Sequence, residues 1–171
     1  MIAIPADTNE VLFRLGIATL IGCAIGLNRH LHDQPAGLRT HGLVGLGSAL
    51  AMLVFAPTSA DVDQWVDAQA RVLQGIVTGI GFLGAGVILH GPKGHKIHGL
   101  TTAAAIWLTA TFGALCGRGH IAIALYGFAI VLVVLMFGAP VEKLAVRVFG
   151  RKHADDREAV REPTASDESV R

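Results

Sequence analysis

Five long apolar blocks, almost free of charged residues, constrain the fold of this chain more than any other feature. They cover residues 12–27, 43–56, 72–89, 100–116 and 121–138, and Arg14 is the one charged residue within them. A helix of about 18 residues rises roughly 27 Å, close to the roughly 30 Å of a bilayer core. A water-soluble fold would need five fully apolar helices and almost no water-facing one. The blocks therefore predict an all-α membrane protein with five transmembrane helices, the second of full length if its helix begins near Leu38.

The distribution of Lys and Arg predicts the orientation of these helices. The segments after the first, third and fifth blocks hold eleven Lys and Arg residues, whereas the other side has only Arg71 and Arg118. Positive residues favour the cytoplasmic side. We therefore expect an outside N-terminus and a cytoplasmic C-terminus. The first ten residues lack a basic n-region and a small-residue cleavage site, so we expect the first block to be retained as a span.

The transmembrane part of the chain is expected to end just before Pro140. The prolines at 35, 57, 92 and 140 all fall between or after the apolar blocks, as expected if helix interiors exclude proline. Residues 1–139 are then the transmembrane domain. Apolar side chains recur at helical spacing over residues 140–150, which predicts a short amphipathic helix in the cytoplasmic interface. Residues 151–171 are highly charged and almost without apolar side chains, which predicts a disordered cytoplasmic tail.

The third block is unusual in its glycine content. Each glycine weakens a helix by roughly 1 kcal/mol relative to alanine, and the block contains Gly75, Gly79, Gly81, Gly84 and Gly86. On a helical wheel they fall on two faces. Small residues let helices approach closely in lipid, so we expect the third helix to be central, facing small stripes that include Gly22 and Gly26 on the first helix and further small residues on the fourth.

An alternative is that this glycine-rich segment breaks the helix and lines a transport path. No Asp or Glu lies in any of the five blocks. A Mg²⁺ or proton pathway usually relies on such carboxylates within the membrane. Backbone carbonyls alone remain an option, but the composition favours helix packing over transport.

The two predicted inner connections are rich in basic residues and histidine. Together they contain six histidines and four Lys or Arg residues. The spacing His-x4-His-x2-His with interleaved lysines does not indicate a zinc site, and we predict no metal site. The fourth helix begins with two threonines, and free N–H groups at a helix start suit an anion. The candidate inner-face polar site is Arg39, Thr40, Thr101 and Thr102; the alternative is that Thr101 only caps the helix while the basic residues anchor the loops.

Other polar residues are given structural interpretations. Arg14 follows Glu10 by one helical turn, which predicts an ion pair that anchors the helix near the headgroups; the alternative is a functional charge in the membrane. The acidic loop after the second block could be a weak divalent-cation patch but is better explained as solvated. No nucleophile–base arrangement is visible. We therefore expect neither catalytic residues nor a cofactor, and no nucleic-acid binding.

Three motifs in the order AGLRTHGLVGLGSAL, GIVTGIGFLGAGVI and HGLTTAAAIWLTA resemble the MgtC/SapB family of bacterial inner-membrane proteins, over most of the chain from about Arg14 through the fifth helix. The resemblance implies a five-helix domain in the bacterial inner (plasma) membrane. It also implies a link to adaptation to low magnesium and, in pathogens, to survival inside host cells. Two features depart from the family: Asn28 stands where an acidic residue is usual, and a short charged tail follows where many members have a folded soluble domain.

The function that the resemblance implies is regulation of other membrane proteins without catalysis. Candidate partners are the lipid bilayer itself, an ATP synthase, a P-type ATPase or a second copy of the chain. The alternative is a small transporter or channel for Mg²⁺ or another cation, and an intramembrane enzyme is the third and least favoured class.

Overall fold

The computed structural model describes residues 7–54, 62–89 and 99–159. These ranges contain five α-helices and no strand: α1 (Thr8–His30), α2 (Leu38–Val54), α3 (Val62–Leu89), α4 (Leu100–Gly117) and α5 (Ile121–Ala159). Four helices are long and apolar enough to cross a membrane, over Thr8–His30, Trp65–Ile88, Leu100–Gly117 and Ile121–Val148. The α2 helix has 17 residues and begins at Leu38, which is the start that the sequence analysis requires for a helix longer than its apolar block. The prediction of an all-helical chain is confirmed.

The chain divides into two compact units, residues 1–130 and 131–171. The first unit contains α1 to α4 and the beginning of α5. The second contains the remainder of α5. The candidate polar site lies entirely in the first unit, which is therefore described in more detail.

The α1 and α2 helices pack with their backbones in contact. A methyl group added at Gly26 would lie 2.6 Å from the carbonyl oxygen of Gly37, and one added at Gly45 would lie 2.6 Å from that of Ala18. Residue numbers fall along α1 as they rise along α2, so the two helices are antiparallel. Glycine at these positions lets the two backbones approach closely, which is a principal means of helix association in lipid.

The α4 helix packs just as closely against α2. An added methyl group at Gly113 would collide with the carbonyl of Gly45, and one at Gly117 with the carbonyl of Ala49. These contacts advance together along both helices, so α2 and α4 are parallel. More than half of the α4 span is buried, and Ile106 is completely so. The central helix of the first unit is therefore α4.

The expectation that α3 is the central helix is wrong within this chain. Methyl groups added at Gly75, Gly79, Gly81 and Gly86 would meet no atom of the described residues within 4 Å, and one at Gly84 would meet only Cβ of Ala103, at 3.5 Å. Instead, Ile80 on the opposite face of α3 joins an apolar cluster with Ile106 and Ala110 of α4, and Ile76 and Val87 pack against it. Burial of branched side chains decides which face of α3 turns inward. Gly22 and Gly26 do lie in close contacts, but with the beginning of α2 and the residue before it.

Two arginines of α1 contact α4 near its two ends. Arg14 forms an ion pair with Glu10, as predicted, and its Nη1 donates a hydrogen bond to the carbonyl oxygen of Gly117 at 3.1 Å. At the other end, Nη2 of Arg29 donates to Oγ1 of Thr102 at 3.0 Å. The helices are antiparallel, and fifteen residues separate the two contacts on each of them. Equal spacing fixes the lengthwise register of α1 against α4.

The α5 helix differs from the expectation at Pro140. The helix runs without interruption from Ile121 to Ala159, with Pro140 inside it. Proline removes one backbone hydrogen bond but is tolerated inside membrane helices where neighbouring groups compensate. The structure therefore places no helix end at the predicted 139/140 boundary, and the backbone over residues 151–159 is helical where disorder was expected. Residues 160–171 of the predicted tail lie outside the described residues.

Candidate functional site

A cluster of buried polar side chains lies at the end of the first unit where α1 ends and α2 and α4 begin. Arg29 is only 8% exposed although it carries a charge, and His41 and Thr102 are completely buried. The three residues come from α1, α2 and α4 respectively. Charged and polar groups are rarely buried so thoroughly unless they are paired or functional.

Hydrogen bonds connect this cluster to the segment between α1 and α2. Thr102 Oγ1 accepts the bond from Arg29 Nη2 described above and donates to Oε1 of Gln34 at 3.2 Å. The backbone N–H of Gln34 in turn donates to the carbonyl of Arg29 at 3.1 Å, and its Nε2 donates to the carbonyl of His32 at 3.0 Å. The end of α1, the following connection and the first turn of α4 are therefore joined by one polar network.

The network leaves several buried polar atoms without a partner. Arg29 Nε, His41 Nε2 and Asn28 Oδ1 are each shielded from solvent and form no hydrogen bond with the described residues. Nδ1 of His41 lies 3.0 Å from the carbonyl oxygen of Gly37. Unsatisfied buried atoms are uncommon in folded proteins and each needs an explanation. At Arg29 the unsatisfied atom belongs to a charged group.

The structure brings only one of the four predicted inner-face residues into this network. Thr102 is at its centre, whereas Arg39, Thr40 and Thr101 are exposed. All four lie at the same end of the unit, in the first turns of α2 and α4. Helix phase explains the difference, because the buried stripe of α2 begins at His41 and Gly42 and continues through Gly45. Residues 39 and 40 precede this stripe and face away from the neighbouring helices.

Sequence reasoning missed Arg29 and Gln34 as members of the network. In the sequence analysis, Arg29 is treated as one of the positive residues that set the orientation and as one of the basic residues grouped in the inner connections, and Gln34 is given no role. One signal was available for Arg29. It follows Gly22 by seven residues and Gly26 by three, so it continues the small-residue face of α1 that packs against its neighbours.

Two further predictions from the sequence concern a metal site and the second inner connection. Among the residues that the structure describes, no group of three or more His, Cys, Asp or Glu side chains is placed to hold a metal ion. Several residues of the sequence analysis lie outside the described ranges. These are His90, Lys93, His95, Lys96 and His98 of the second inner connection, together with Asp61 of the acidic loop.

The outward face of α3 is a second candidate site. Gly75 and Gly79 are exposed and have open space in front of them. Phe82 projects from the same face and is 82% exposed, the most exposed large apolar side chain in the described part of the chain. This face, which we call the α3 outer face and define as Gly75, Gly79 and Phe82, lies opposite the Ile80 cluster. It combines a flat glycine surface with one projecting ring.

Comparison with known proteins identifies the family. The family model described as MgtC matches residues 15–144, which is well over half of the chain. The chain belongs to the MgtC family. The MgtC match contains α2, α3 and α4 completely, together with most of α1 and the part of α5 up to Leu144. Both candidate sites lie within it. No solved structure matches the chain.

Several curated relatives of this MgtC-family chain are more than 40% identical to it. Protein SrpB of Synechococcus elongatus is 44% identical over 138 residues, covering 75% of each chain. The Escherichia coli K12 protein with the name "Putative magnesium transporter YhiD" is 44% identical over 131 residues, which are 75% of this chain and 60% of YhiD. Protein MgtC of Salmonella typhimurium is 41% identical over 121 residues, or 71% and 49% of the two chains. The match therefore spans only about half to three fifths of MgtC and YhiD.

Proposed function

We propose that this MgtC-family chain is a non-enzymatic regulator that acts by lateral contact with another membrane protein in the bacterial inner membrane. The observation that carries the proposal is the α3 outer face. Its glycines leave a flat surface beside the exposed ring of Phe82. Flat glycine surfaces are typical of helix–helix contacts in lipid, where close packing replaces the hydrophobic drive.

The packing of the first unit supports contact rather than ion passage. Where α1, α2 and α4 meet, added methyl groups on Gly26 and Gly45 would lie 2.6 Å from backbone oxygens of a neighbouring helix. Backbones this close leave no room for water between them. The sequence carries no Asp or Glu between residues 68 and 141, so α4 and the part of α3 that follows Asp67 offer no carboxylate to a hard cation.

In the same proposal all five helices cross the membrane, with the N-terminus outside and the C-terminus cytoplasmic. Although α2 has 17 residues, fewer than the roughly 20 of a typical span, its contacts run from Leu38 beside Gly26 to Ala49 beside Gly117. It therefore extends along much of α1 and α4. The excess of Lys and Arg after the first, third and fifth apolar blocks favours this orientation.

The partner and the physiological role are part of the proposal. We propose a membrane-protein partner, for which the resemblance suggests an ATP synthase, a P-type ATPase or a second copy of the chain. We further propose a role in adaptation to low magnesium and, in a pathogen, in survival inside host cells. The names of the relatives MgtC and YhiD are consistent with a magnesium-related role.

The test is a pair of glycine substitutions on two exposed helix surfaces. A Cβ atom added at Gly79 would meet no described atom beyond its own stretch of helix within 4 Å, and the same is true at Gly47 on α2, so a leucine at either position begins in open space. Both variants should therefore fold. In a mild-detergent pull-down from the native membrane, we expect the amount of partner that co-purifies with Gly79→Leu to fall at least about tenfold. This corresponds to a loss of about 1.4 kcal/mol of binding free energy.

The control variant decides how the pull-down is interpreted. Gly47→Leu introduces the same bulk on a different helix and should retain the partner and growth in low magnesium. Full partner recovery and normal growth with Gly79→Leu would show that the α3 outer face is not the contact surface. Equal losses in both variants would also contradict the proposal, because the effect would then be independent of the face.

A small cation transporter is the second candidate function, favoured by the name of the relative YhiD. It is tested with the purified chain in liposomes that contain a Mg²⁺-sensitive dye. We expect the rate of Mg²⁺ entry to equal that of empty liposomes in the presence of a gradient. Entry that saturates with Mg²⁺ and depends on the gradient would establish transport and displace the regulatory proposal.

A further inference from the structure

The starting observation is that Arg29 is a buried cation without a counter-charge among the described residues. It is more than nine-tenths buried, and its one side-chain hydrogen bond in the described structure is to the neutral hydroxyl of Thr102. Its Nε has no partner. Asp33, the one acidic residue between α1 and α2, is exposed and forms no ion pair with it among the described residues. A buried charge of this kind is strongly unfavourable unless it is paired.

The group that Arg29 approaches is the N-terminus of α4. Thr102 is the third residue of this 18-residue helix, whose N-cap is Gly99 with a φ of 89° and no capping side chain. The first N–H groups of a helix lack partners within it and carry the positive end of the helix dipole. The Gly99 carbonyl accepts from the N–H of Ala103, but glycine supplies no side-chain oxygen to cap the N–H groups before it. Uncapped N–H groups and a guanidinium both favour an anion.

The chain surrounding this point also favours negative charge in the ligand. Residues 28–41 contain two arginines and three histidines against one acidic residue. The α1 residue Arg29 is buried, whereas Thr101 at the helix start is exposed. The first turn of α4 therefore has one exposed side, at Thr101, and one side against the buried guanidinium, at Thr102.

We propose that Arg29 and the N-terminus of α4 form a binding site for a phosphate group. A guanidinium presents a planar set of donors that matches phosphate oxygens, and uncapped helix N–H groups add further donors. The Thr102 hydroxyl and Gln34 position Arg29 through the hydrogen bonds already described. The phosphate can come from an anionic phospholipid headgroup or from free inorganic phosphate. This inference is independent of the contact proposed for the α3 outer face, since it rests on Arg29 and the first turn of α4 and needs no protein partner.

The test measures thermal unfolding of the full purified chain in zwitterionic detergent by tryptophan fluorescence. Inorganic phosphate is compared with chloride at matched ionic strength. In parallel, nanodiscs of phosphatidylglycerol are compared with nanodiscs of phosphatidylcholine. At a ligand concentration about ten times Kd, we expect the effective phosphate source to raise the melting temperature by about 3–6 °C.

Arg29→Gln and Arg71→Gln provide the paired variants. Both remove one positive charge, but Arg71 is exposed on α3, far from α4's first turn in sequence and outside the polar network. Arg71→Gln should keep the stabilisation. Arg29→Gln should lose it while unfolding at an equal or higher temperature without phosphate, because an unbalanced buried charge has been removed.

The outcomes distinguish free phosphate from a lipid headgroup as the ligand, and both from a failure of the proposal. Stabilisation by inorganic phosphate identifies a free anion, and stabilisation by phosphatidylglycerol alone identifies a lipid headgroup. No stabilisation of the wild type by either, or equal stabilisation of Arg29→Gln, overturns the proposal. If Arg29→Gln does not fold, equilibrium dialysis of the wild type with labelled phosphate and phosphorus analysis of retained lipid take its place. If neither labelled phosphate nor a retained phospholipid is found, the proposal of a phosphate site is overturned.

Discussion

At the scale of single residues, the first unit is organised by glycines that face backbone atoms. Gly45 faces the carbonyl of Ala18 on α1, and Gly113 of α4 faces the carbonyl of Gly45. A side chain at either position would have to displace a backbone rather than a flexible side chain. The tight α1–α2–α4 packing therefore depends on the absence of a Cβ atom at a few positions.

Gly45→Ala and Gly47→Ala are a matched pair because they are two residues apart on one helix. The added methyl at Gly45 would lie 2.6 Å from a backbone oxygen, whereas at Gly47 it would meet no described atom within 4 Å. We expect Gly45→Ala to lower the free energy of unfolding by about 1–3 kcal/mol through overpacking. Gly47→Ala should be neutral or raise it by up to about 1 kcal/mol through helix propensity. Thermal or denaturant unfolding in detergent measures both, and equal effects would contradict the packing.

Residue types in the sequence predicted part of the polar site but not its geometry. Thr102 was identified because it begins an apolar helix, a feature that the sequence contains directly. Arg39 and Thr101 were included because they share the same end, but their exposure depends on helix phase relative to neighbours that sequence does not identify. Arg29 was missed because pairing of a buried arginine with a threonine 73 residues away is a tertiary contact.

At the scale of helices, apolar length was a reliable guide and small-residue content was not. The five blocks correspond to the five helices, and the start of α2 at Leu38 matches the condition set for its length. Glycine on a helical wheel shows where close approach is possible, but not whether a neighbour is present. In α3 the branched side chains of Ile76 and Ile80 pack inward, so that the glycines of the α3 outer face are left on the other side.

Pro140 gives a prediction for α5. Alanine at this position restores an amide that can donate to the carbonyl of Met136, and proline is about 3 kcal/mol less favourable than alanine in a helix interior. We expect Pro140→Ala to slow amide hydrogen exchange over residues 137–144. Gly138→Ala, which would meet no described atom within 4 Å, should have a smaller effect because glycine costs only about 1 kcal/mol. Faster exchange in Pro140→Ala would contradict a continuous helix.

At the scale of the whole molecule, alternating helix directions and charge distribution lead to the same proposed topology. The α1 helix is antiparallel to α2 and α4, and the last two are parallel. If every helix crosses the membrane, the connection after α1 and the connection between α4 and α5 lie on opposite sides. The Lys and Arg distribution assigns the first of these to the cytoplasm.

Cysteine labelling in intact cells measures this topology. In a background with Cys23 and Cys116 replaced by alanine, single cysteines are introduced at His32 and at His120, both exposed. We expect a membrane-impermeant thiol reagent to label His120→Cys in intact cells and His32→Cys only after permeabilisation. The reverse pattern would mean that the orientation is inverted. Labelling of both cysteines in intact cells would show that α1 and α4 end on the same side of the membrane, which contradicts the proposed topology.

The contacts of Arg14 and Arg29 with α4 have a consequence for the lipid environment. Fifteen helical residues separate them, which is about 22 Å, so two guanidinium groups are held at a fixed spacing shorter than a hydrocarbon layer of roughly 30 Å. Neither can move outward alone without breaking its contact with α4. We therefore expect bilayers with shorter acyl chains to accommodate the protein better than bilayers with longer ones.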